Sequence, residues 1–178
     1  NIILAFILIK FIVYPILGHL LGTTYPIVAV VSGSMEHKGS FDEWWMSKAV
    51  CNKKDICTQA EFYSKYGITK QDFKNFPYPN GFNKGDIMIL YGVSPDKIKV
   101  GDILVFKSYK PDPIIHRVIK KWTEGDTVYY MTKGDHNTMP IDTYAVSEVR
   151  ISQYQAVGYN KYSKVSKAIV RIPYLGYI

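Results

Sequence analysis

Residues 2 to 21 read IILAFILIKFIVYPILGHLL, twenty positions with one strong charge, at Lys10. At helical rise such a run spans about 30 Å, the thickness of a bilayer's hydrocarbon core. A lysine in the middle of a span costs about 3 kcal/mol on insertion scales, which the surrounding aliphatic residues offset while its long stem snorkels. Pro15 is a candidate kink, because proline removes one helical donor. A buried core helix and the apolar core of a cleavable leader are the competing readings, and both are usually shorter. The expectation is a membrane anchor over residues 1–22.

Beyond Gly22 short apolar runs alternate with turn residues, the pattern of strands. Ile27 to Val31 is continuous and largely β-branched. Gly85-Asp86 introduces Ile87 to Tyr91, and Gly101-Asp102 introduces Ile103 to Phe106. Pro111-Asp112-Pro113 leads into Ile114 to Ile119. Glu124-Gly125-Asp126 predicts a hairpin turn before Thr127 to Thr132, and a last strand is expected over Gln155 to Tyr159. The body, residues 23–178, is therefore expected to be one mainly β domain. Within it residues 36–82 are richer in aromatic and polar side chains and read as an insertion. Thr58 with Glu61 and Thr69 with Asp72 have capping-box spacing, predicting two short helices there. Phe41, Trp44 and Trp45 either pack the insertion onto the body or dip into a membrane interface, the first being the simpler reading.

With 178 residues, 47% of them hydrophobic, the chain is long and apolar enough for its own core. Its net charge of +7 invites a nucleic-acid reading, but the cations are scattered and no binding signature accompanies them. A basic surface suits anionic lipid headgroups equally well. Cys51 and Cys57 exclude a disulfide framework and fit no zinc pattern, leaving one bridge or none; no metal or cofactor is expected.

Three clusters carry possible chemistry. Ser32-Gly33-Ser34-Met35 follows the first strand directly, so Ser34 emerges where the backbone turns. A serine becomes a nucleophile only beside a base, and most Ser-Gly-Ser turns merely cap their own backbone. Of His19, His37, His116 and His136, the best base is His116, which strand alternation puts on one face with Ile114 and Val118. An imidazole there is also an ordinary core side chain. His19 falls in the anchor and His37 in a polar stretch expected to be flexible. Lys133-Gly134-Asp135-His136-Asn137, with Asp142 beyond, offers carboxylates for orienting a histidine, or simply an Asx turn.

The order of these blocks resembles type I signal peptidase in its archaeal and endoplasmic-reticulum form. An apolar segment precedes Ser-Gly-Ser-Met; Gly-Asp-Ile leads to Val-Gly-Asp-Ile-Leu-Val-Phe; then follow Ile-His-Arg-Val, Thr-Lys-Gly-Asp-His-Asn and Arg-Ile-Pro-Tyr-Leu-Gly. The resemblance implies a signal-peptidase-like β-sheet catalytic domain behind a transmembrane helix, with a small helical insert. It implies a membrane-bound serine endopeptidase that removes signal peptides from exported preproteins on the extracytoplasmic or lumenal side of the cell or endoplasmic-reticulum membrane. By the same likeness Ser34 is the nucleophile, His116 the base where the bacterial branch has lysine, and Asp142 the acid, with Asp135 the supporting or alternative acid. The Ser34 backbone N–H and the Ser32 hydroxyl form the oxyanion site. Shallow pockets for small substrate side chains come from Ile27, Val28, Ala29, Val30, Val31 and Met35. Partners are signal peptides, membrane lipid and the translocation machinery, with no nucleic acid. Two departures stand out: the long 36–82 insertion, and His136 where asparagine is common. A second membrane helix often follows the final block in the archaeal form. The competing readings are a tethered domain that binds extracytoplasmic peptides without cutting them, and a self-cleaving repressor, which needs a DNA-binding N-terminus and lysine at 116.

Overall fold

The computed structural model describes residues 1–51, 55–107, 112–138, 151–156 and 164–174, and the backbone alone of 142–143 and 146–147. Its N-terminal helix, Ile2–Leu21, has no buried residue and is long and apolar enough to cross a membrane. A π-helical turn, Ile9–Val13, lies just before Pro15, where the missing proline N–H interrupts the ordinary ladder. Lys10 lies in that turn, with its ammonium 5.6 Å from the Phe6 ring centre and 5.5 Å from that of Phe11. The helix ends at Gly22, whose φ of 64° is the left-handed conformation glycine adopts without strain. There the chain meets the body. The Gly22 carbonyl abuts Gly92 so closely that any side chain at 92 would collide with it.

The strands in chain order are β1 (Ile27–Ala29), β2 (Lys48–Val50), β3 (Ile56–Thr58), β4 (Ile87–Val93), β5 (Ile103–Phe106) and β6 (Ile114–Glu124). They continue with β7 (Thr127–Lys133), β8 (Asp142–Thr143), β9 (Val146–Ser147), β10 (Ile151–Ser152) and β11 (Val165–Ile172). The main sheet has the order β1-β4-β11-β5-β6-β7-β10, every pair antiparallel. β5 explains why its strand is apolar at every position: Ile103 and Val105 face one core with Val30, Met35, Met88 and Leu90, while Leu104 and Phe106 face another with Val118, Tyr130 and Val165. The hairpin turn at Gly125-Asp126 joins β6 to β7, with Gly125 at φ 55°.

The expected strand over Gln155 to Tyr159 is not the last one, and most of it lies outside the described residues. Gln155 closes a 3-10 turn, Ala156 makes an isolated bridge to Phe106, and residues 157–159 lie outside the described residues. The strand that closes the sheet is β11, which inserts between β4 and β5. A register shift between Ala168 and Val170 moves its apolar residues from one face to the other, so no period-2 pattern marks it in the sequence. Both Gly-Asp turns fasten this strand. Asp86 and Asp102 each accept a backbone N–H from three residues upstream, at 2.8 and 2.9 Å, and ion-pair with Arg171 and Lys167 of β11 at 2.7 and 3.1 Å.

Residues 36–82 form an aromatic lobe. The helices Gln59–Ser64 and Lys70–Lys74 start at Thr58 and Thr69 with full capping boxes, as their spacing predicts. A third helix, Phe41–Trp45, is capped by Ser40 and Glu43. Trp44 and Trp45 are buried with Phe62, Tyr63 and Phe73, so they pack the lobe rather than a lipid interface. Cys51 and Cys57 are joined as a disulfide across the β2–β3 hairpin.

Candidate active site

Ser34 sits in the turn that leaves the edge strand β1. Val30 is held at the strand's end by two backbone hydrogen bonds, its N–H donating to the Asp86 carbonyl at 2.9 Å and its carbonyl accepting from Gly85 at 2.8 Å. The chain then folds over Gly33, whose carbonyl accepts the Glu36 N–H at 3.1 Å. The Met35 side chain plugs into the core with no exposure, pinning the next residue. From the other side the His136 N–H donates to the Ser34 carbonyl at 2.8 Å. The serine is therefore clamped between the β1 loop and the loop after β7.

His116 comes from the middle of β6, opposite Leu104 of β5, and is 4% exposed. Its ring meets Phe106 edge-on, and its Nε2 stands 3.0 Å from Ser34 Oγ. Two residues eighty-two apart in the chain thus meet at hydrogen-bond distance, the separation a general base needs from the proton it takes. Ser32 Oγ lies 3.2 Å from Ser34 Oγ, on the exposed side. Gly134 completes the pocket floor: a methyl group there would come within 2.8 Å of His116 Nε2, of the Ser34 carbonyl oxygen and of the Asn137 amide nitrogen. Sequence reasoning treated Gly134 as a turn residue, and the Thr-Lys-Gly-Asp block gives no local hint that its bare Cα faces the imidazole.

Asp135 points away from that pair into the protein. Its carboxylate accepts two hydrogen bonds from Arg117, at 2.9 and 2.7 Å, and lies 3.0 Å from His37 Nε2. The Tyr63 hydroxyl donates to it at 3.4 Å. Burial alone would raise its pKa, but the Arg117 charge, reinforced by the His37 and Arg117 hydrogen bonds, holds it well below the usual carboxylate range. Arg117 also donates to the carbonyls of Pro77, Gly101 and Tyr78 at 2.8 to 3.0 Å. Buried Lys133 donates to Gln59 Oε1 at 2.8 Å and so ties β7 to the aromatic lobe.

The expectation that His37 is loosely held is corrected. Its side chain is 2% exposed and stacks on Trp44 at 3.7 Å, because the lobe supplies the ring and the loop after β7 supplies the Asp135 carboxylate. His19 lies exposed on the N-terminal helix and His136 exposed on its loop. Asp142 opens β8, and its side chain lies outside the described residues. Of the expected pocket residues, Ala29 and Val31 are exposed and Ile27 and Val28 half-buried, whereas Val30 and Met35 belong to the core. Among the described residues no cluster of His, Cys, Asp or Glu is arranged to hold a metal ion.

No family model matches the chain. Curated relatives do. A "Signal peptidase complex catalytic subunit SEC11" of Fusarium vanettenii is 28% identical over 100 residues, 54% of this chain and 54% of its own length. Its counterpart in Metarhizium acridum is 29% identical over the same extent, and the human "Signal peptidase complex catalytic subunit SEC11C" is 44% identical over 59 residues, 32% of this chain and 30% of that one. The chain thus spans about half the length of the fungal relatives it matches. With the β-sheet fold and the apolar N-terminal helix, these matches make the chain similar, over about half its length, to catalytic subunits of the signal peptidase complex.

Proposed function

We propose that this protein is a membrane-anchored serine endopeptidase that removes N-terminal signal peptides from exported preproteins. The observation that carries the reading is the 3.0 Å approach of Ser34 Oγ to His116 Nε2 at the end of an edge strand. His116 takes the hydroxyl proton as Ser34 Oγ attacks the scissile carbonyl, then gives that proton to the departing amine. Water, deprotonated by the same imidazole, releases the acyl group from Ser34. The negative charge on the tetrahedral oxygen needs fixed donors, and the Ser34 N–H with the Ser32 hydroxyl are the nearest candidates. A domain that only bound peptides would have no use for a hydroxyl and an imidazole in this relation.

Asp142 is the proposed acid that orients His116. Support comes from Asp135, whose carboxylate already serves Arg117, His37 and Tyr63 and so acts as a structural anchor behind the site. An extended substrate adds to the free side of β1, which among the described residues pairs only with β4. Ala29 and Val31, the exposed residues there, offer small apolar walls to small side chains before the cut.

The N-terminal helix is the proposed anchor, and residues 23–178 the catalytic domain carrying the 36–82 lobe. The Cys51–Cys57 disulfide favours the extracytoplasmic or lumenal side, where thiols are oxidised. The relatives are named as subunits of a complex, and we extend to this chain a place beside partner subunits and the translocation machinery. The test is cleavage of a preprotein by the full chain in detergent, with the new N-terminus read by mass spectrometry. Wild type is expected to yield one defined mature terminus and Ser34→Ala none; equal processing by Ser34→Ala overturns the reading.

A further inference from the structure

Where the N-terminal helix meets the body lies a cavity of about 710 Å³ that, among the described residues, shares none with the Ser34–His116 site. Its two ends differ in chemistry. Tyr14, Pro15 and Gly18 of the last helical turns give an apolar wall, while His19, Thr24 and Lys164 bring an imidazole, a hydroxyl and an ammonium group. Gly22 leaves room for Lys164: a methyl group there would come within 2.9 Å of its Nζ. Lys164 has no acidic partner among the described residues. The position matters as much as the composition. The helix that supplies the apolar wall ends at Leu21, so in a bilayer this cavity sits at the boundary between hydrocarbon and headgroups on the side of the body.

We infer that this cavity binds the headgroup of an anionic phospholipid, with the phosphate against Lys164 and the Thr24 hydroxyl and the glycerol end against Tyr14 and Pro15. A cation at the membrane surface attracts anionic lipid, and a pocket with one apolar and one cationic end fits a molecule built the same way. The volume is that of a small-molecule site, well beyond what a bare phosphate fills. The lipid would brace a joint the fold already makes tight, since Gly22 packs on Gly92 of β4 and the Tyr14 hydroxyl reaches the Ile27 carbonyl of the edge strand at 3.4 Å.

This inference rests on the membrane reading of the helix, and the test separates the two. The full chain is mixed with vesicles of phosphatidylcholine alone or with a fifth of phosphatidylglycerol, floated, and the lipid retained after detergent extraction is identified by native mass spectrometry. We expect flotation with both, and retained phosphatidylglycerol that falls about fivefold in Lys164→Gln and in the cavity-filling Thr24→Phe but not in the exposed control Lys97→Gln. Flotation with no anionic preference, or a preference untouched by Lys164→Gln, overturns the site alone. Failure to float with either vesicle overturns both the site and the membrane reading. Displacement of the retained lipid by soluble glycerol phosphate at equal concentration overturns the lipid assignment in favour of a free phosphate ligand.

Discussion

A single missing side chain at 134 permits the geometry at the centre of this protein. Gly134 lies against the imidazole nitrogen, the Ser34 carbonyl and Asn137, and the added methyl of Gly134→Ala would meet all three at 2.8 Å. Separations that short force a shift, and on the proposed mechanism a base displaced by a few tenths of an ångström loses alignment with its nucleophile. Gly134→Ala is therefore expected to lower kcat by about tenfold to a hundredfold with KM little changed, and to lower the melting temperature too, since one of the crowded atoms is the Ser34 backbone carbonyl; steady-state kinetics beside a thermal melt checks both halves. Ser34 and His116 were legible in the sequence because one follows a strand and the other interrupts an apolar one. Gly134 and His37 were not, since what decides their roles is contact with segments far away in the chain.

Among the elements, the 36–82 lobe shows how local signals and tertiary packing divide the work. Its three short helices all begin with a capping box, and two of these are visible as Thr-x-x-acid spacing. Helices of five or six residues do not hold by themselves in water, so burial of Trp44, Tyr63 and Phe73 must supply most of their stability. Thr58→Ala should cost about 1 kcal/mol, whereas Trp44→Ala should cost about 3 to 5 kcal/mol, since it removes a buried ring along with its donor to the Asp135 carbonyl. Denaturant titrations of the two variants give the comparison, and equal losses would contradict it. The sheet divides in the same way. β5 was readable as an uninterrupted apolar run and β6 as an apolar stretch broken by His116 and Arg117, but β11, which joins β5 to β4, carries a bulge, two cations and a buried serine that hide its period.

At the scale of the whole molecule, the Arg117–Asp135–His37 cluster fastens the lobe, the sheet and the loop after β7 together, and it gives stability a dependence on acidity. The folded pKa of Asp135 is depressed, so its contribution is complete above the unfolded value of about 3.9 and is lost as pH falls toward the lower folded value. Asp135→Asn leaves Arg117 buried without its counter-charge and should cost about 3 to 5 kcal/mol at neutral pH. It should also flatten the decline in stability below pH ~4, as read from unfolding midpoints across the acid range. The measurement that bears most directly on the central claim is a double-mutant cycle on kcat/KM for preprotein cleavage with Ser34→Ala, His116→Ala and the pair. If hydroxyl and imidazole act as one nucleophile–base unit, either single change should abolish nearly all of the rate and the double variant should be no worse. Losses that simply multiply, or a His116→Ala enzyme that keeps most of its rate, would contradict it.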